Sequence, residues 1–223
     1  STGYMFNGCG NLDYVKPFDT SSVTDIKFMF KSCSLDNFSW LDFSSVTNMT
    51  ESFRQLKAKT IDFTLNSSTT ITSTESFFGC NALSIPALSG VKVSSLNTMF
   101  KSCINLESLP VFDTSSVTDI RNAFHNCIRL TKLPALDFSS VTLGNTNTFA
   151  GLTSLRESDI YDITITHTYN NCNFSRDAIV NIFNNLGTSV SGATITVSNN
   201  PGSNDLTASD LAIATGKGWT VVS

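Results

Sequence analysis

One phrase of apolar and polar positions recurs along the chain: an apolar residue, then Phe, two variable residues, then Cys. It reads Met5-Phe6-Asn7-Gly8-Cys9, Met29-Phe30-Lys31-Ser32-Cys33, Phe77-Phe78-Gly79-Cys80, Met99-Phe100-Lys101-Ser102-Cys103 and Ala123-Phe124-His125-Asn126-Cys127. Degenerate copies fill the gaps at Ser52-Phe53-Arg54-Gln55-Leu56, Thr148-Phe149-Ala150-Gly151-Leu152 and Thr168-Tyr169-Asn170-Asn171-Cys172. Taken as anchors, Phe6, Phe30, Phe53, Phe78, Phe100, Phe124, Phe149 and Tyr169 are separated by 24, 23, 25, 22, 24, 25 and 20 residues.

The flanks repeat with the anchors. Seven residues before the aromatic stands Val23, Val46, Ile71, Val93 or Val117, and four before it Ile26, Met49, Leu96 or Ile120. Paired leucines follow the Cys, as in Leu106 and Leu109 before Pro110, and Leu130 and Leu133 before Pro134. Asp-x-Ser-Ser-Val-Thr or a close variant recurs at Asp19, Asp42, Asp113 and Asp137. A period of this size is that of leucine-rich-repeat-type architectures, in which one unit cannot bury its apolar face alone and neighbours must cover it. The pattern predicts a mainly β, leucine-rich-repeat-like solenoid of about eight turns of 20–25 residues over 1–172, with Phe and Cys ladders inside. Short strands are expected at the Leu-x-x-Leu segments and turns at Asp-x-Ser-Ser.

The texture changes after residue 172. Ser175 is placed to cap a helix running to Leu186, with Ile179, Ile182, Phe183 and Leu186 as its buried stripe and Gly187 at its stop. Residues 193–198 alternate like a strand, and Asn200-Pro201-Gly202-Ser203 turns the chain. A second helix starts at Thr207 or Ser209 and runs through Ala214, with Gly216 and Gly218 ending it and Trp219–Val222 left as a strand. Residues 173–223 therefore read as a small α/β capping segment that keeps water and other chains off the last turn.

The Val-x-x-Ile-x-x-Ala/Met-Phe-x-x-Cys-x-x-Leu phrase resembles the bacterial surface-antigen (BspA-like) leucine-rich repeats. The Phe-Asp-x-Ser-Ser-Val-Thr variant resembles a related repeat of bacterial lipoproteins and some phage proteins. The likeness covers roughly residues 1–172, and the copies around 54–75 and 143–165 depart from it. It implies a surface-exposed module that binds host proteins, glycans or other cells. The ending Leu211-Ala-Ile-Ala-Thr-Gly-Lys-Gly-Trp-Thr-Val221 resembles the closing segment of phage fibre and adhesin repeat proteins.

Composition narrows the function. Of 223 residues 40% are hydrophobic, enough for a substantial core, while only 14% are charged, so Ser, Thr and Asn carry the polar surface. The formal net charge of -4 and singly scattered Lys and Arg speak against nucleic acid, whose phosphates require clustered cations. No stretch approaches a membrane span. The chain opens inside a repeat, as expected of a processed product or a fragment of something longer.

Chemistry is sparse. All six cysteines, Cys9, Cys33, Cys80, Cys103, Cys127 and Cys172, occupy one repeat position, where Leu56 and Leu152 stand in other copies. Leucine can replace a small buried hydrophobe but not a metal ligand or half of a disulfide, so a buried thiol ladder is expected. A bridge between adjacent copies, such as Cys103 with Cys127, is the rival reading. Only two histidines are present, His125 and His167, in no nucleophile pairing, so no enzyme, no cofactor and no metal are expected. Carboxylates in the pairs Asp19/Asp42 and Asp113/Asp137 could share calcium, but an Asx turn is the favoured reading.

Ligand contact is assigned to the variable residues between the paired leucines: Asp13, Tyr14, Asp36, Asn37, Glu107, Ser108, Thr131 and Lys132. Trp40 is expected in the core rather than on a sugar. The sequence thus predicts an extracellular, non-enzymatic adhesion module on a bacterial surface or phage tail fibre, with a host protein or glycan as receptor. The alternative is a structural subunit of a filament or virion fibre, whose partners are neighbouring copies joined through solenoid ends.

Overall fold

A computed structural model describes residues 2–66, 70–145, 147–189 and 192–223; Ser1, where the sequence opens mid-repeat, lies outside them. The strands among the described residues are short: β1 (Asp42–Phe43), β2 (Thr64–Leu65), β3 (Thr70–Ile71), β4 (Lys92–Val93), β5 (Lys132–Leu133), β6 (Glu157–Ser158), β7 (His167–Thr168), β8 (Thr194–Thr196) and β9 (Thr220–Val222), with isolated parallel bridges such as Asp25 to Asn48 and Asp119 to Leu143 outside them. The pairs β1-β2, β3-β4 and β5-β6 are parallel, and β7-β8-β9 form a three-stranded parallel sheet. Two helices, α1 (Arg176–Asn185) and α2 (Ala208–Thr215), belong to the C-terminal segment.

These elements overturn the expected mainly β repeat solenoid. Strands of two or three residues sit in separate small sheets, and no sheet runs through the described residues. The cause lies in the Phe phrase, which folds as turns. The residues two before and two after the buried aromatic hold positive φ: Tyr4 and Gly8, Phe28 and Ser32, Glu51 and Gln55, Glu75 and Gly79, Thr98 and Ser102, Asn122 and Asn126. Left-handed backbone cannot belong to a pleated strand. Amides in the phrase therefore alternate in their use. Phe30 N–H donates to Ser52 O in the following copy at 2.9 Å, whereas Met29 N–H folds back to Ile26 O at 2.9 Å and Cys33 N–H to Phe30 O at 3.1 Å. The sequence period fixes which residues are neighbours, but the neighbours meet through turns. The Leu-x-x-Leu segments yield little strand beyond β5.

The core is one apolar cluster threaded by a column of aromatic rings. Stacked pairs run Phe6–Phe30, Phe30–Phe53, Phe53–Phe77, Phe77–Phe100, Phe100–Phe124, Phe124–Phe149 and Phe149–Tyr169, with centroids 4.4 to 6.0 Å apart. The fourth rung is Phe77, not Phe78. Phe78 turns outward, with the Arg54 guanidinium 4.4 Å and the Lys101 ammonium 5.8 Å from its ring centre. Ile26, Val46, Met49, Ile71, Val93, Leu96, Val117 and Ile120 pack around the column, and Val23 is half-buried. Leu56 and Leu152 lie fully buried at the cysteine position. Buried hydroxyls bridge copies without breaking the core: Ser52 Oγ donates to Ile26 O at 2.9 Å and Ser76 Oγ to Met49 O at 2.9 Å. A buried polar group is tolerable only when it is bonded in this way.

Helix α1 begins where Ser175 accepts from Ala178 N–H at 3.3 Å, and buries Ile179, Ile182 and Phe183. Helix α2 begins with a reciprocal capping box between Thr207 and Asp210. Asp210 also accepts two bonds from Arg176, each 2.9 Å, which ties the start of α1 to the start of α2. At the far end of α1, Lys217 Nζ donates to Asn184 O at 2.6 Å and Leu186 O at 2.8 Å, supplying cation and donors where helix carbonyls lack partners. Trp219 closes the same region through a 2.8 Å bond from Nε1 to Gly187 O.

Candidate functional site

The residues between the paired leucines face solvent on successive copies. Backbone bonds set their register: Glu107 N–H donates to Leu83 O at 2.9 Å, Leu83 N–H to Lys59 O at 2.7 Å and Arg156 N–H to Thr131 O at 2.9 Å. Asp13, Tyr14, Asp36, Asn37, Glu107, Ser108, Thr131 and Lys132 are all exposed, Tyr14 at 72%. They divide into two groups. Glu107, Ser108, Thr131 and Lys132 stand on adjacent copies. The copies carrying Thr60 and Ser84 separate them from Asn37, whose Oδ1 is occupied by bonds from Ser39 N–H (3.0 Å) and Ser39 Oγ (2.9 Å).

Charge pairs lace the second group together. Arg129 donates to Glu107, and Lys132 Nζ lies 2.9 Å from Glu157 and 2.8 Å from Asp159. These two carboxylates, Asp159 first, raise the Lys132 ammonium above its ordinary range. Glu107, Arg129, Thr131 and Ser154 line a shallow cleft of about 310 Å³. Beyond Lys132 a cleft of about 490 Å³ opens between β6 and the start of α1, bordered by Arg156, Glu157, Asp159, Asn173, Asp177 and Asn181. Arg129, Arg156 and Asn181 were missed in the sequence. The first sits in the variable slot two after Cys127, and the others fall in a degenerate copy and the terminal segment. A third cleft of about 340 Å³ is more apolar, with Ile85, Pro86, Leu109 and Pro110 beside Ser108.

Elsewhere the titratable groups are committed to structure. Asp19 Oδ1 accepts from Ser21 N–H (2.9 Å) and Ser21 Oγ (2.7 Å), and Asp113 Oδ1 from Ser115 N–H (2.9 Å) and Oγ (2.6 Å). Asp42 and Asp137 accept from Ser44 and Ser139 N–H at 2.9 and 2.8 Å. These are Asx turns, and the serine bonds hold the Asp19, Asp42 and Asp113 carboxyls below their usual range. No group of three or more His, Cys, Asp or Glu able to hold a metal occurs among the described residues. The six thiols are free, all but half-buried Cys9 lying inside. Cys103 Sγ donates to Phe77 O at 2.9 Å and Cys127 Sγ to Phe100 O at 3.0 Å, and burial pushes Cys80, Cys127 and Cys172 up to about 12.

Burial lowers both histidines. His125 is half-buried, with Lys101 adding to the effect. His167 is fully enclosed by Phe149, Tyr169 and Trp219, which it meets edge-on, and burial pushes it to about 4. Its Nδ1 lies 2.8 Å from the Ile165 carbonyl and so carries the proton, while Nε2 has no bonding partner. Trp40 is half-buried, its ring 5.3 Å from that of Phe18.

A repeated core beneath unlike exposed side chains defines an internally repeated chain. Residues 1–89 and 69–176 match the family described as "Mycoplasma protein of unknown function, DUF285", and the chain belongs to that family. No curated protein and no solved structure matches it. No helix among the described residues is long and apolar enough to cross a membrane.

Proposed function

We propose that this chain is a non-enzymatic adhesion module, displayed outside a bacterial cell or on a phage fibre, that recognises host proteins or glycans. One observation carries the reading. Successive copies hold the same buried Phe, yet expose different side chains beside it, from Lys59 and Thr60 to Glu107, Ser108, Thr131 and Lys132. A constant interior under a varied polar exterior is what a recognition surface requires: rigidity below, and specificity above from a few placed polar groups beside shallow clefts. The likeness of the repeat phrase to BspA-like surface proteins supports the same reading.

The test is saturable attachment of the purified chain to host-type cells, compared with a double variant, Arg129→Ala with Lys132→Ala. Attachment weakened at least tenfold in the double variant, with unchanged melting, is the expected result. Attachment that is absent from the parent chain would sink the proposal.

A further inference from the structure

Away from the paired-leucine surface, a groove of about 330 Å³ opens where the Asp-x-Ser-Ser turns of two copies meet the copy of Tyr161. Its register is fixed by parallel bridges between Lys92 and Asp113 and between Asp137 and Tyr161. The Tyr161 backbone is bonded on both sides, its N–H to Leu136 O at 3.1 Å and its carbonyl to Phe138 N–H at 3.0 Å. Tyr161 is 38% exposed, in the same groove as Val111 at 57%. Room is kept at Gly90, where an added Cβ would meet nothing within 4 Å.

The polar groups of the groove are half used. The turn bonds engage Oδ1 of Asp113 and Oδ1 of Asp137. Oδ2 of Asp113 has Lys92 Nζ at the long distance of 4.0 Å, which leaves it open to a closer donor. Partial burial and the carboxylates of Asp137, Asp162 and Asp113 raise the Tyr161 phenol, so carboxylate charge sits close to the ring. A concave site with an aromatic platform and acceptor oxygens on adjacent turns matches a hydroxylated ring: its C–H face covers the aromatic, and its hydroxyls donate charge-assisted bonds to the carboxylates. The negative field disfavours an anionic sugar.

We propose that this groove binds a neutral pyranose unit of a glycan, with Tyr161 as the platform and Asp113 and Asp137 as hydroxyl acceptors. The assignment rests on the adhesion reading and gives it a ligand class.

Saturation-transfer NMR with methyl glycosides of glucose, galactose and mannose tests it, with N-acetylneuraminic acid and tetramethylammonium as controls. Transfer to the ring C–H protons of at least one neutral glycoside is expected, with none to the anionic sugar. Tyr161→Ala should weaken binding at least tenfold. Asp137→Asn, which keeps the Oδ1 acceptor for Ser139, should weaken it several-fold with unchanged melting. Transfer that survives Tyr161→Ala, or tetramethylammonium displacing the glycoside from the groove, overturns the proposal. Cell attachment read in parallel separates the two readings. Attachment by a parent chain that gives no glycoside transfer removes the sugar groove and leaves the adhesion reading standing, whereas loss of attachment alone removes the adhesion reading.

Discussion

Phe77 and Phe78 are chemically identical neighbours with opposite environments. Phe77 stacks between Phe53 and Phe100 with centroids at 5.4 and 5.8 Å, while Phe78 lies under two cations at the surface. Truncating a buried Phe removes its transfer energy and leaves a cavity, so Phe77→Ala should cost about 3–5 kcal/mol of unfolding free energy. Phe78→Ala loses exposed cation contacts worth about 1 kcal/mol or less. Urea denaturation of the two variants reads the difference directly, and equal losses would place both rings in the core. The distinction was legible in the sequence through the cysteine: Cys80 follows Phe77 by three residues, as every other cysteine follows its rung, but follows Phe78 by two. Thiol chemistry gives a second residue-scale test. In the native protein at pH 8, iodoacetamide should label half-buried Cys9 rapidly. Cys80 and Cys127, buried and held near 12, should react only after unfolding. Fast labelling of Cys127 in folded protein would contradict its place in the core.

Elements were read unevenly, for physical reasons. Helix α1 was visible because its stripe, its Ser175 cap and its stop are local signals, and the helix ends at Asn185, one residue short of the expected limit. The turns at Asp19, Asp42, Asp113 and Asp137 were visible because an Asx turn is built within three residues. The backbone of the Phe phrase was not visible. Glu51, Gln55, Thr98 and Ser102 adopt positive φ although none is a residue type that favours it, because bonds to the adjacent copy hold them there. Propensity argues residue by residue and cannot see that tertiary demand, so the left-handed turns of the phrase had no local signal. Two substitutions probe the terminal segment. Ser175→Ala should lower stability by about 1 kcal/mol through loss of the cap, measured by urea titration of α-helical ellipticity. Gly202→Ala should be far worse. A Cβ at Gly202 would stand 1.9 Å from Arg176 N and 2.3 Å from Ser175 C, backbone atoms that cannot step aside without displacing the start of α1. Thermal unfolding of Gly202→Ala at the parent temperature would show that α1 is not seated against that turn.

At the scale of the molecule, the aromatic column and the terminal segment meet at one ionisable side chain, and the meeting should make global stability depend on pH. His167 lies edge-on to Phe149 and Tyr169 of the column and to Trp219 of the terminal segment, with Nε2 unpartnered. Unfolded, the imidazole takes a proton near 6.5; folded, burial withholds it until about 4. Between those values the unfolded chain binds more protons than the folded one, so unfolding free energy rises with pH. The contribution is whole above pH 6.5, shrinks as pH falls towards 4 and is spent below it. A shift of this size corresponds to about 3 kcal/mol across the window. The depressed carboxylates Asp19, Asp42 and Asp113 titrate from 3.8 downward, so they add their own losses under more acid conditions. His125 is shifted in the same direction as His167, and a variant is needed to separate the two. Urea midpoints of the parent chain should therefore climb from pH 4 to pH 6.5 and level off. In His167→Gln the climb should largely vanish, because an amide of similar reach carries no proton to gain. A slope that persists undiminished in His167→Gln would mean that the imidazole is solvated in the folded chain, and that the column and the terminal segment do not close over it.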